Sequence, residues 1–343
     1  MIADFKRMAD AVRRWHPSPA CILLEMRIVV LDGYCLNPGD LDWTALRAIG
    51  EVEVFDRTPE TQVVERSAGA TVVLTNKSPF SAATLAALPD LKYIGVLATG
   101  YNIIDVAAAR ERGVVVTNVP AYGTHSVAQM TMALLLELCH RVGHHSDAVR
   151  AGEWNRNPDW TFWHTPQVEL AGKQFGVVGF GGIGRQAAVA AAGLGMKIAA
   201  YDAMPGEPMA GADFQWMGLD ALIATSDVVS LHCPLFPETK DLMNRQRIAS
   251  MKPTAFLINT SRGPLIVEQD LADALNNGVI AGAAIDVVPL EPPVNGSPLF
   301  SAKNCIVTPH IAWATLEARG RLMDVAVNNV RAFANGVPEN RVG

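Results

Sequence analysis

The chain has 343 residues, of which 50% are hydrophobic and 18% are charged, and it carries a formal net charge of -6. This balance excludes a disordered chain, and the length predicts two domains rather than one. A net negative charge without a basic stripe argues against a nucleic-acid partner, and no apolar run is long enough to span a membrane.

The cysteines are widely spaced and form no C-x-x-C pair; they are Cys21, Cys35, Cys139, Cys233 and Cys305. An odd number of scattered thiols argues against a disulfide framework and a structural zinc site, so we expect no metal. It also indicates a reducing compartment, and we predict a cytoplasmic protein. Residues 1–25 mix acidic and basic side chains without the apolar core of a signal peptide, which predicts a dispensable N-terminal extension.

Short β-branched runs alternate with helical stretches from Met26 to about Val119. The predicted strands are Ile28–Leu31, Val52–Phe55, Thr71–Thr75, Tyr93–Leu97 and Val114–Thr117. The predicted helices are Leu41–Ile49, Thr61–Ala68, Ala82–Leu88 and Asp105–Arg112. Continuous apolar strands separated by helices are typical of a parallel sheet covered on both faces, so this segment predicts one βα domain.

A long helical pattern covers residues 125–150 and is apolar on more than one face. Such a helix is expected to be buried, either between domains or between subunits. The loop that follows carries Trp154, Trp160 and Trp163. The sequence leaves two explanations for these tryptophans, which are packing in the core and contact with another chain.

A second βα series begins at Lys173. Its predicted strands are Phe175–Gly179, Lys197–Tyr201, Val228–His232, Ala255–Asn259, Ile280–Asp286 and Cys305–Thr308. A final helix is predicted from Leu316 to Ala334, because Asn335-Gly336 is a helix stop. The chain is therefore predicted to be an α/β protein with two such domains.

Residues Gly179–Gly184 read G-x-G-x-x-G, between a predicted strand and an alanine-rich helix that begins at Arg185. This context gives the motif its weight, because glycines there allow a tight turn and the close approach of a pyrophosphate to a helix N-terminus. The alternative is a glycine-rich turn without a ligand. The sequence favours a dinucleotide site.

An acid follows these glycines at the end of the next predicted strand. Asp202 stands where a carboxylate binds the ribose hydroxyls of adenosine. No lysine or arginine occurs between Lys197 and Lys240, so a 2′-phosphate would meet Asp202 without a cation from this segment. The sequence predicts NAD rather than NADP as the cofactor.

Three polar residues follow later strands of the second series: Arg262, Glu291 and His310. Ligands of open parallel sheets lie at the carboxyl ends of strands, so the three could share one crevice. Reduction of a 2-keto acid needs a proton donor, which histidine supplies near neutral pH. A neighbouring carboxylate would orient the ring and stabilise the imidazolium, and a guanidinium would bind the substrate carboxylate. Taken singly, each is better explained as a core histidine or a solvated loop charge, so the prediction depends on a shared cleft.

From Met26 onward the chain resembles the D-isomer-specific 2-hydroxyacid dehydrogenase family. The motifs that carry the resemblance are Gly179–Gly184, Tyr201-Asp202, His232-Cys233-Pro234-Leu235, Asn259-Thr260-Ser261-Arg262-Gly263, Asp286 with Glu291-Pro292, and Thr308-Pro309-His310. The resemblance implies two doubly wound parallel-sheet domains with a cleft between them. They are a flavodoxin-like substrate domain, residues 26–122 plus 314–343, and a Rossmann NAD-binding domain, residues 123–313. It also implies a homodimer with residues 125–150 at the interface.

The same resemblance assigns roles to individual residues. It implies that His310 is the catalytic acid/base, that Glu291 assists it and that Arg262 binds the substrate. With the glycines and Asp202 already named, the expected cofactor-binding set is Gly179, Gly181, Gly182, Ile183, Gly184, Asp202, Cys233, Pro234, Thr260, Arg262, Asp286 and His310. Asp286 would contact the nicotinamide side of the cofactor. Gly182 is a departure, because these enzymes commonly carry a basic residue there.

Further substrate-binding candidates follow strands of the first domain. They are Asn76, Thr99 and Gly100, and backbone N–H groups around Thr99 and Gly100 could hold a carboxylate. Arg262 and His310 complete the expected substrate-binding set. Ordinary turn chemistry is the alternative for Asn76 and Thr99. The phrases Leu-Ala-Thr-Gly-Tyr-Asn and His-Ile-Ala-Trp-Ala-Thr resemble the glycerate dehydrogenase or hydroxypyruvate reductase branch. This implies hydroxypyruvate and D-glycerate as the substrate pair, with glyoxylate as a second substrate.

Other activities stay open at this point. A D-lactate dehydrogenase or a phosphoglycerate dehydrogenase would share the catalytic trio, although the latter is expected to carry extra cations for its phosphate. The family also includes transcriptional corepressors that bind NAD and act as protein-interaction modules. Such a protein can retain the trio, and the lack of long disordered tails argues against it.

Overall fold

The computed structural model describes residues 26–343, so the predicted extension at residues 1–25 lies outside the described residues. The chain divides into two compact units. The first unit runs to Tyr122 and is completed by Leu316–Gly343, and the second unit is Gly123–Thr315. Each contains its own parallel sheet. Within the described residues, no helix has the length and apolar character needed to cross a bilayer.

The first unit is built on five parallel strands in the order β2-β1-β3-β4-β5. The strands are β1 (Arg27–Val30), β2 (Glu51–Val54), β3 (Val72–Thr75), β4 (Tyr93–Val96) and β5 (Val115–Thr117). The helices are α1 (Thr44–Arg47), α2 (Val63–Ser67), α3 (Ala82–Ala86), α4 (Val106–Glu111) and the C-terminal helix (Leu316–Ala334). The order reverses between β1 and β3, which is the flavodoxin-like doubly wound arrangement.

Burial along the strands of the first unit follows their place in the sheet. All four residues of β3 and of β4 are buried, because central parallel strands are covered on both faces. The edge strand β2 instead alternates between exposed and half-buried residues. The C-terminal helix packs on this sheet, where the rings of Tyr93 and Phe333 lie 4.8 Å apart.

The second unit is built on seven parallel strands in the order β12-β11-β10-β9-β6-β7-β8. The strands are β6 (Gln174–Val178), β7 (Lys197–Tyr201), β8 (Phe214–Trp216), β9 (Val228–Leu231), β10 (Phe256–Asn259), β11 (Gly282–Ile285) and β12 (Cys305–Val307). The helices are α5 (Thr124–His140), α6 (Val142–Arg150), α7 (Glu153–Arg156), α8 (Gly182–Gly193), α9 (Leu219–Thr225), α10 (Arg245–Ser250) and α11 (Glu268–Asn276). Among the seven strands of this unit, only the short edge strand β8 was missing from the sequence prediction.

The order of these strands reverses between β6 and β9, as in a Rossmann fold. Successive residues point to opposite faces of the sheet and enter separate cores. Val178 and Leu257 belong to one apolar cluster, whereas Val177 and Ile258 belong to the other. The predicted fold class, two doubly wound parallel-sheet α/β domains, is confirmed.

The single helix predicted at residues 125–150 is instead two helices, and this detail of the prediction was wrong. Arg141 adopts the left-handed conformation (φ +48°) between α5 and α6, and its N–H closes the end of α5 on the Glu137 carbonyl at 2.9 Å. The apolar pattern continues through this break, so periodicity alone did not reveal it. Only α5 is extensively buried, and Ala148 is the one buried residue of α6.

Candidate active site

Two glycines of the motif are required by close backbone contacts. Gly179 has φ +95°, and a Cβ there would lie 2.4 Å from the backbone nitrogen of Cys233. A Cβ on Gly184 would lie 2.1 Å from the carbonyl oxygen of Gly179. Any other side chain would force these segments apart, so the sequence forms a tight turn from β6 into α8.

The N-terminus of α8 is open to a ligand. Its N-cap, Gly181, provides no side-chain cap, and an added Cβ there would meet no atom within 4 Å. In the described part of the chain, the N–H groups of Gly181–Gly184 have no hydrogen-bond partner. Unpaired N–H groups at the start of a 12-residue helix bind anions, so this cradle fits the pyrophosphate of a dinucleotide.

Asp202 follows β7, directly beside this turn. Its Oδ2 accepts a hydrogen bond from Phe180 N at 2.8 Å, and its Oδ1 accepts one from Met204 N at 3.0 Å. Both bonds fix the carboxylate at the strand's end, where adenosine ribose hydroxyls are bound in Rossmann folds. Sequence reasoning missed Arg185, whose guanidinium lies 4.5 Å from the Phe180 ring centroid.

The end of β9 completes the crevice at the point where the strand order reverses. Cys233 is buried against the Gly179 turn, and its burial raises the pKa of the thiol to about 11. Pro234, next to it, is exposed. Burial of the His232 ring lowers its pKa to about 4, and its Nε2 lies 2.8 Å from Ser230 Oγ. The His232 ring is therefore neutral at physiological pH.

The segment after β10 is tied to its neighbours by side-chain hydrogen bonds. Ser261 Oγ donates to the Cys233 carbonyl at 2.7 Å, which joins the ends of β9 and β10. Thr260 Oγ1 lies 3.2 Å from Thr131 Oγ1 of α5. The Thr260 hydroxyl is thus engaged with this helix.

His310 and Glu291 are brought into direct contact. His310 Nδ1 lies 2.6 Å from Glu291 Oε2, with 31% and 27% of the two side chains exposed. The other carboxylate oxygen accepts a hydrogen bond from Val288 N at 3.1 Å. Nε2 lies on the other side of the His310 ring from Glu291, and within the described residues it has no hydrogen-bond partner. The ring can therefore exchange a proton through Nε2.

Asp286 holds the loop that carries His310. This carboxylate is only 1% exposed, and it accepts hydrogen bonds from Thr308 Oγ1 (2.6 Å), Ile311 N (2.9 Å) and Ala312 N (2.9 Å). His310 itself has φ +55°, a conformation that few residues other than glycine adopt. These bonds stabilise that conformation, which nothing in the local sequence predicted.

Arg262 is the third member of the predicted trio and stands alone. Its guanidinium is exposed and donates to the Ser261 carbonyl at 2.7 Å. Asn259 brackets the turn, because its Nδ2 donates to Arg262 O at 2.9 Å. Among the described residues, Arg262 makes no ion pair with Glu291. The three follow the neighbouring strands β10, β11 and β12, but only His310 and Glu291 are in contact.

The first unit carries the remaining candidates. Thr99 Oγ1 donates to Val119 O at 2.9 Å, so this hydroxyl is engaged. The backbone N–H groups of Thr99 and Gly100 have no partner in the part of the chain that the structure describes. Asn76 is held differently, because its N–H donates to the Asp32 carboxylate at 2.7 Å. The loop after β4 therefore offers two backbone donors to a ligand.

Together these features define the class of enzyme to which the chain belongs. A Rossmann sheet, an open glycine turn and an acid after the second strand are the features of dinucleotide-dependent oxidoreductases. The histidine–carboxylate pair at the ends of later strands adds a group that can transfer a proton.

Known proteins place the chain more narrowly. The profile of the D-isomer specific 2-hydroxyacid dehydrogenase family, NAD binding domain, matches residues 132–312. A hydroxypyruvate reductase from Blautia hydrogenotrophica is 52% identical over 92% of this chain and 99% of its own length. A glycerate dehydrogenase from Methylorubrum extorquens is 40% identical over 83% of this chain and 89% of its own. The structure of an NADPH-dependent glyoxylate/hydroxypyruvate reductase from Sinorhizobium meliloti matches with a TM-score of 0.80 and 28% identity, over 93% of this chain and 98% of that one.

The chain therefore belongs to the D-isomer specific 2-hydroxyacid dehydrogenase family. It is an NAD-dependent oxidoreductase, and the second unit contains the NAD-binding domain. The predictions of the enzyme class and of the cofactor are confirmed.

Proposed function

We propose that this enzyme reduces hydroxypyruvate to D-glycerate with NADH and accepts glyoxylate as a second substrate. The hydroxypyruvate reductase that is 52% identical to the chain supports this assignment, and so does the glycerate dehydrogenase at 40%. The observation that carries the proposal is the 2.6 Å contact between His310 and Glu291 at the strand ends of the NAD-binding unit. This pair supplies the proton that a carbonyl reduction requires.

His310 acts as the acid in reduction and as the base in oxidation. Its Nδ1–H donates to Glu291, which fixes the orientation of the ring and leaves Nε2 to face the substrate oxygen. In reduction the imidazolium gives its Nε2 proton to the forming alkoxide. Glu291 stabilises the positive charge that the ring carries before this transfer. Asp286 keeps the ring in place through the three hydrogen bonds to its loop.

The residues proposed to hold the cofactor are those whose geometry fits it. The open N–H groups of Gly181–Gly184 bind the pyrophosphate, and Asp202 binds the adenosine ribose. Pro234 is exposed along the remaining path toward the reactive end, and the buried Cys233, Thr260 and Asp286 are proposed to support that path from beneath. When bound, NADH supplies the hydride that reaches the carbonyl carbon.

Arg262 and the first-unit amides recognise the substrate. The guanidinium binds the carboxylate of the keto acid and polarises its keto oxygen, which a planar fork of donors suits. Within the first unit, the unpaired N–H groups of Thr99 and Gly100 are proposed to bind a substrate carboxylate, as backbone nests do for anions. Asn76 is proposed as a further substrate-binding residue of the first unit.

The test is a steady-state assay of NADH oxidation with hydroxypyruvate, glyoxylate, pyruvate and longer 2-keto acids. We expect the largest kcat/KM for hydroxypyruvate, then glyoxylate. A higher value for pyruvate would replace the assignment by a lactate dehydrogenase. No turnover of any keto acid by a protein that still binds NADH would favour an NAD-binding interaction module.

We also propose that the enzyme is a cytoplasmic homodimer, assembled through α5, α6 and the loop after them. This stretch of the second unit exposes several large apolar side chains: Leu136, Val142, Val149, Trp154, Trp160 and Trp163. Exposed tryptophans are enriched at protein interfaces. Light scattering should give twice the mass of the chain, and Trp160→Glu should shift this mass toward that of one chain. A single-chain mass for the unaltered protein would contradict the proposal.

A further inference from the structure

Arg185 brings a cation to the adenosine end of the cofactor site. It is the first residue after the glycine motif, and its half-buried guanidinium lies 4.5 Å from the centroid of the Phe180 ring. The same guanidinium donates to the Glu207 carbonyl at 2.6 Å. A Cβ on Gly206 would lie 3.2 Å from it. Arg185 is thus enclosed by the loop that follows Asp202.

Asp202 and Arg185 flank the same residue. The backbone N–H of Phe180 donates to the Asp202 carboxylate at 2.8 Å, while the ring of Phe180 supports Arg185. Phe180 is itself fixed, because it is 4% exposed and its ring lies 5.3 Å from that of Trp216. The sequence therefore places one anion and one cation on a rigid aromatic residue inside the glycine motif.

The charge of Arg185 is not neutralised by an acid. Among the described residues, no carboxylate oxygen lies within 4.0 Å of the Arg185 guanidinium. The one hydrogen bond of this guanidinium is to a backbone carbonyl. By contrast, Arg245 is paired with both Asp270 (3.2 Å) and Asp273 (2.9 Å). A guanidinium without an acid partner is available to a phosphate, which it binds through two parallel hydrogen bonds.

We propose that Arg185 is the cationic half of a 2′-phosphate site that Asp202 keeps closed. In this view the enzyme prefers NAD because a fixed carboxylate repels the 2′-phosphate, and not because a cation is missing. The segment between Lys197 and Lys240 contains no lysine or arginine, but Arg185 reaches the same region from the preceding helix. The inference depends on NAD binding by the second unit and is independent of which keto acid is reduced.

The test measures binding of two adenosine fragments to the full-length protein by calorimetry. They are adenosine 5′-monophosphate and adenosine 2′,5′-bisphosphate, which differ only in the 2′-phosphate. The unaltered enzyme should bind the monophosphate more tightly. Asp202→Ser should improve binding of the bisphosphate by about 10- to 100-fold, the range of one or two charge-assisted hydrogen bonds. Asp202→Ser combined with Arg185→Gln should lose most of that gain.

Two further variants give the proposal its controls. Asp202→Ser combined with Arg245→Gln should keep the full gain, since that arginine is engaged with two acids elsewhere in the unit. Asp202→Ser combined with Arg185→Lys should keep part of it, because a lysine retains the charge without the planar fork. The gain should shrink with added salt.

Two results would overturn the proposal. One is an Asp202→Ser protein that binds the monophosphate but gains nothing for the bisphosphate. The other is a gain that survives Arg185→Gln unchanged. If Asp202→Ser does not fold, Asp202→Asn replaces it, because an amide oxygen can still accept the Phe180 N–H while the repelling charge is removed. The same two outcomes then decide the matter.

Discussion

The two sheets of this enzyme reverse their strand order in the same manner, but the reversal points are occupied differently. In the first unit that point lies between β1 and β3, and the chain fills it with its own anion. The Asp32 carboxylate accepts hydrogen bonds from the backbone N–H groups of Asn76 (2.7 Å), Lys77 (2.6 Å) and Ser78 (3.1 Å). The backbone N–H groups at the start of the loop after β3 are therefore satisfied by the chain itself.

In the second unit the corresponding point, between β6 and β9, is left open. The glycine turn presents N–H groups that no part of the described chain satisfies, so an external anion is needed there. A doubly wound sheet therefore offers an anion site by its topology, and in the first unit one acidic side chain already occupies that site. The NAD-binding domain is the open unit.

The largest effect is expected for His310→Ala, in the unit with the open anion site. We expect kcat to fall by about 100- to 10,000-fold, because the substitution removes the group proposed to transfer the proton. NADH binding, followed by fluorescence titration, should change little, since the glycine turn and Asp202 are untouched. A loss of kcat smaller than tenfold would mean that the proton comes from elsewhere.

The first unit should respond in stability rather than in chemistry. Asp32→Ala leaves three backbone donors without their acceptor, and we expect the unit to lose about 3 kcal/mol of unfolding free energy. Hydrogen exchange at Asn76–Ser78 should accelerate in parallel. Asp56→Ala is the matched control, because this exposed aspartate at the end of β2 makes no side-chain hydrogen bond among the described residues. Equal losses of unfolding free energy in the two variants would show that the hydrogen bonds of the Asp32 carboxylate do not stabilise the first unit.

The second unit also contains a pH-dependent contribution to stability, at the end of β9. Burial lowers the pKa of His232 to about 4 from 6.5, so the fold prefers the neutral ring. Above pH 6.5 the His232 ring is neutral in both the folded and the unfolded chain, so the folded state has its full stability. As the pH falls from 6.5 toward 4, the ring takes up a proton in the unfolded chain but not in the folded one, and the free energy of unfolding declines. We expect a loss of about 2 kcal/mol over this window.

The measurement is urea unfolding at several pH values between these limits. His232→Gln should show a shallower dependence than the unaltered protein, because an amide does not titrate. If both proteins lose stability equally, other groups account for the decline.

The smallest effect is expected at Ser261, which joins the ends of β9 and β10. Ser261→Ala removes the hydrogen bond to the Cys233 carbonyl, a loss of about 1 kcal/mol. We expect KM for the keto acid to rise about threefold to fivefold with a smaller change in kcat, because the Arg262 turn loosens. Ser250→Ala removes a similar bond, to the Arg247 carbonyl at 2.7 Å, away from the turn, and should leave KM unchanged. Similar changes in both variants would show only a general loss of stability.

Much of the fold could be predicted because its signals are local. Apolar runs separated by helical stretches gave both parallel sheets, and Asn335-Gly336 gave the end of the C-terminal helix at Ala334. The break at Arg141 could not be predicted, because the apolar pattern crosses it and the left-handed residue is not a glycine. The strand β8 was missed because three residues at an edge carry little periodicity.

The candidate site was predictable to a similar degree. The glycine motif, Asp202 and the strand-end positions of Arg262, Glu291 and His310 can all be read from spacing. The roles of Asp286 and Arg185 could not, because each depends on a partner from another element. The Asp286 carboxylate holds a loop more than twenty positions away, through Ile311 and Ala312.

The sequence by itself determined the two parallel sheets, the open glycine turn and the types of charged residue that end the strands of the second unit, because period, glycine and strand length act over a few residues. Only the tertiary structure decided that His310 and Glu291 touch, that Arg262 does not join them, and that Asp32 fills one anion site while another stays open. These outcomes depend on hydrogen bonds between residues far apart in the chain, and the register of the sheets brings such partners together.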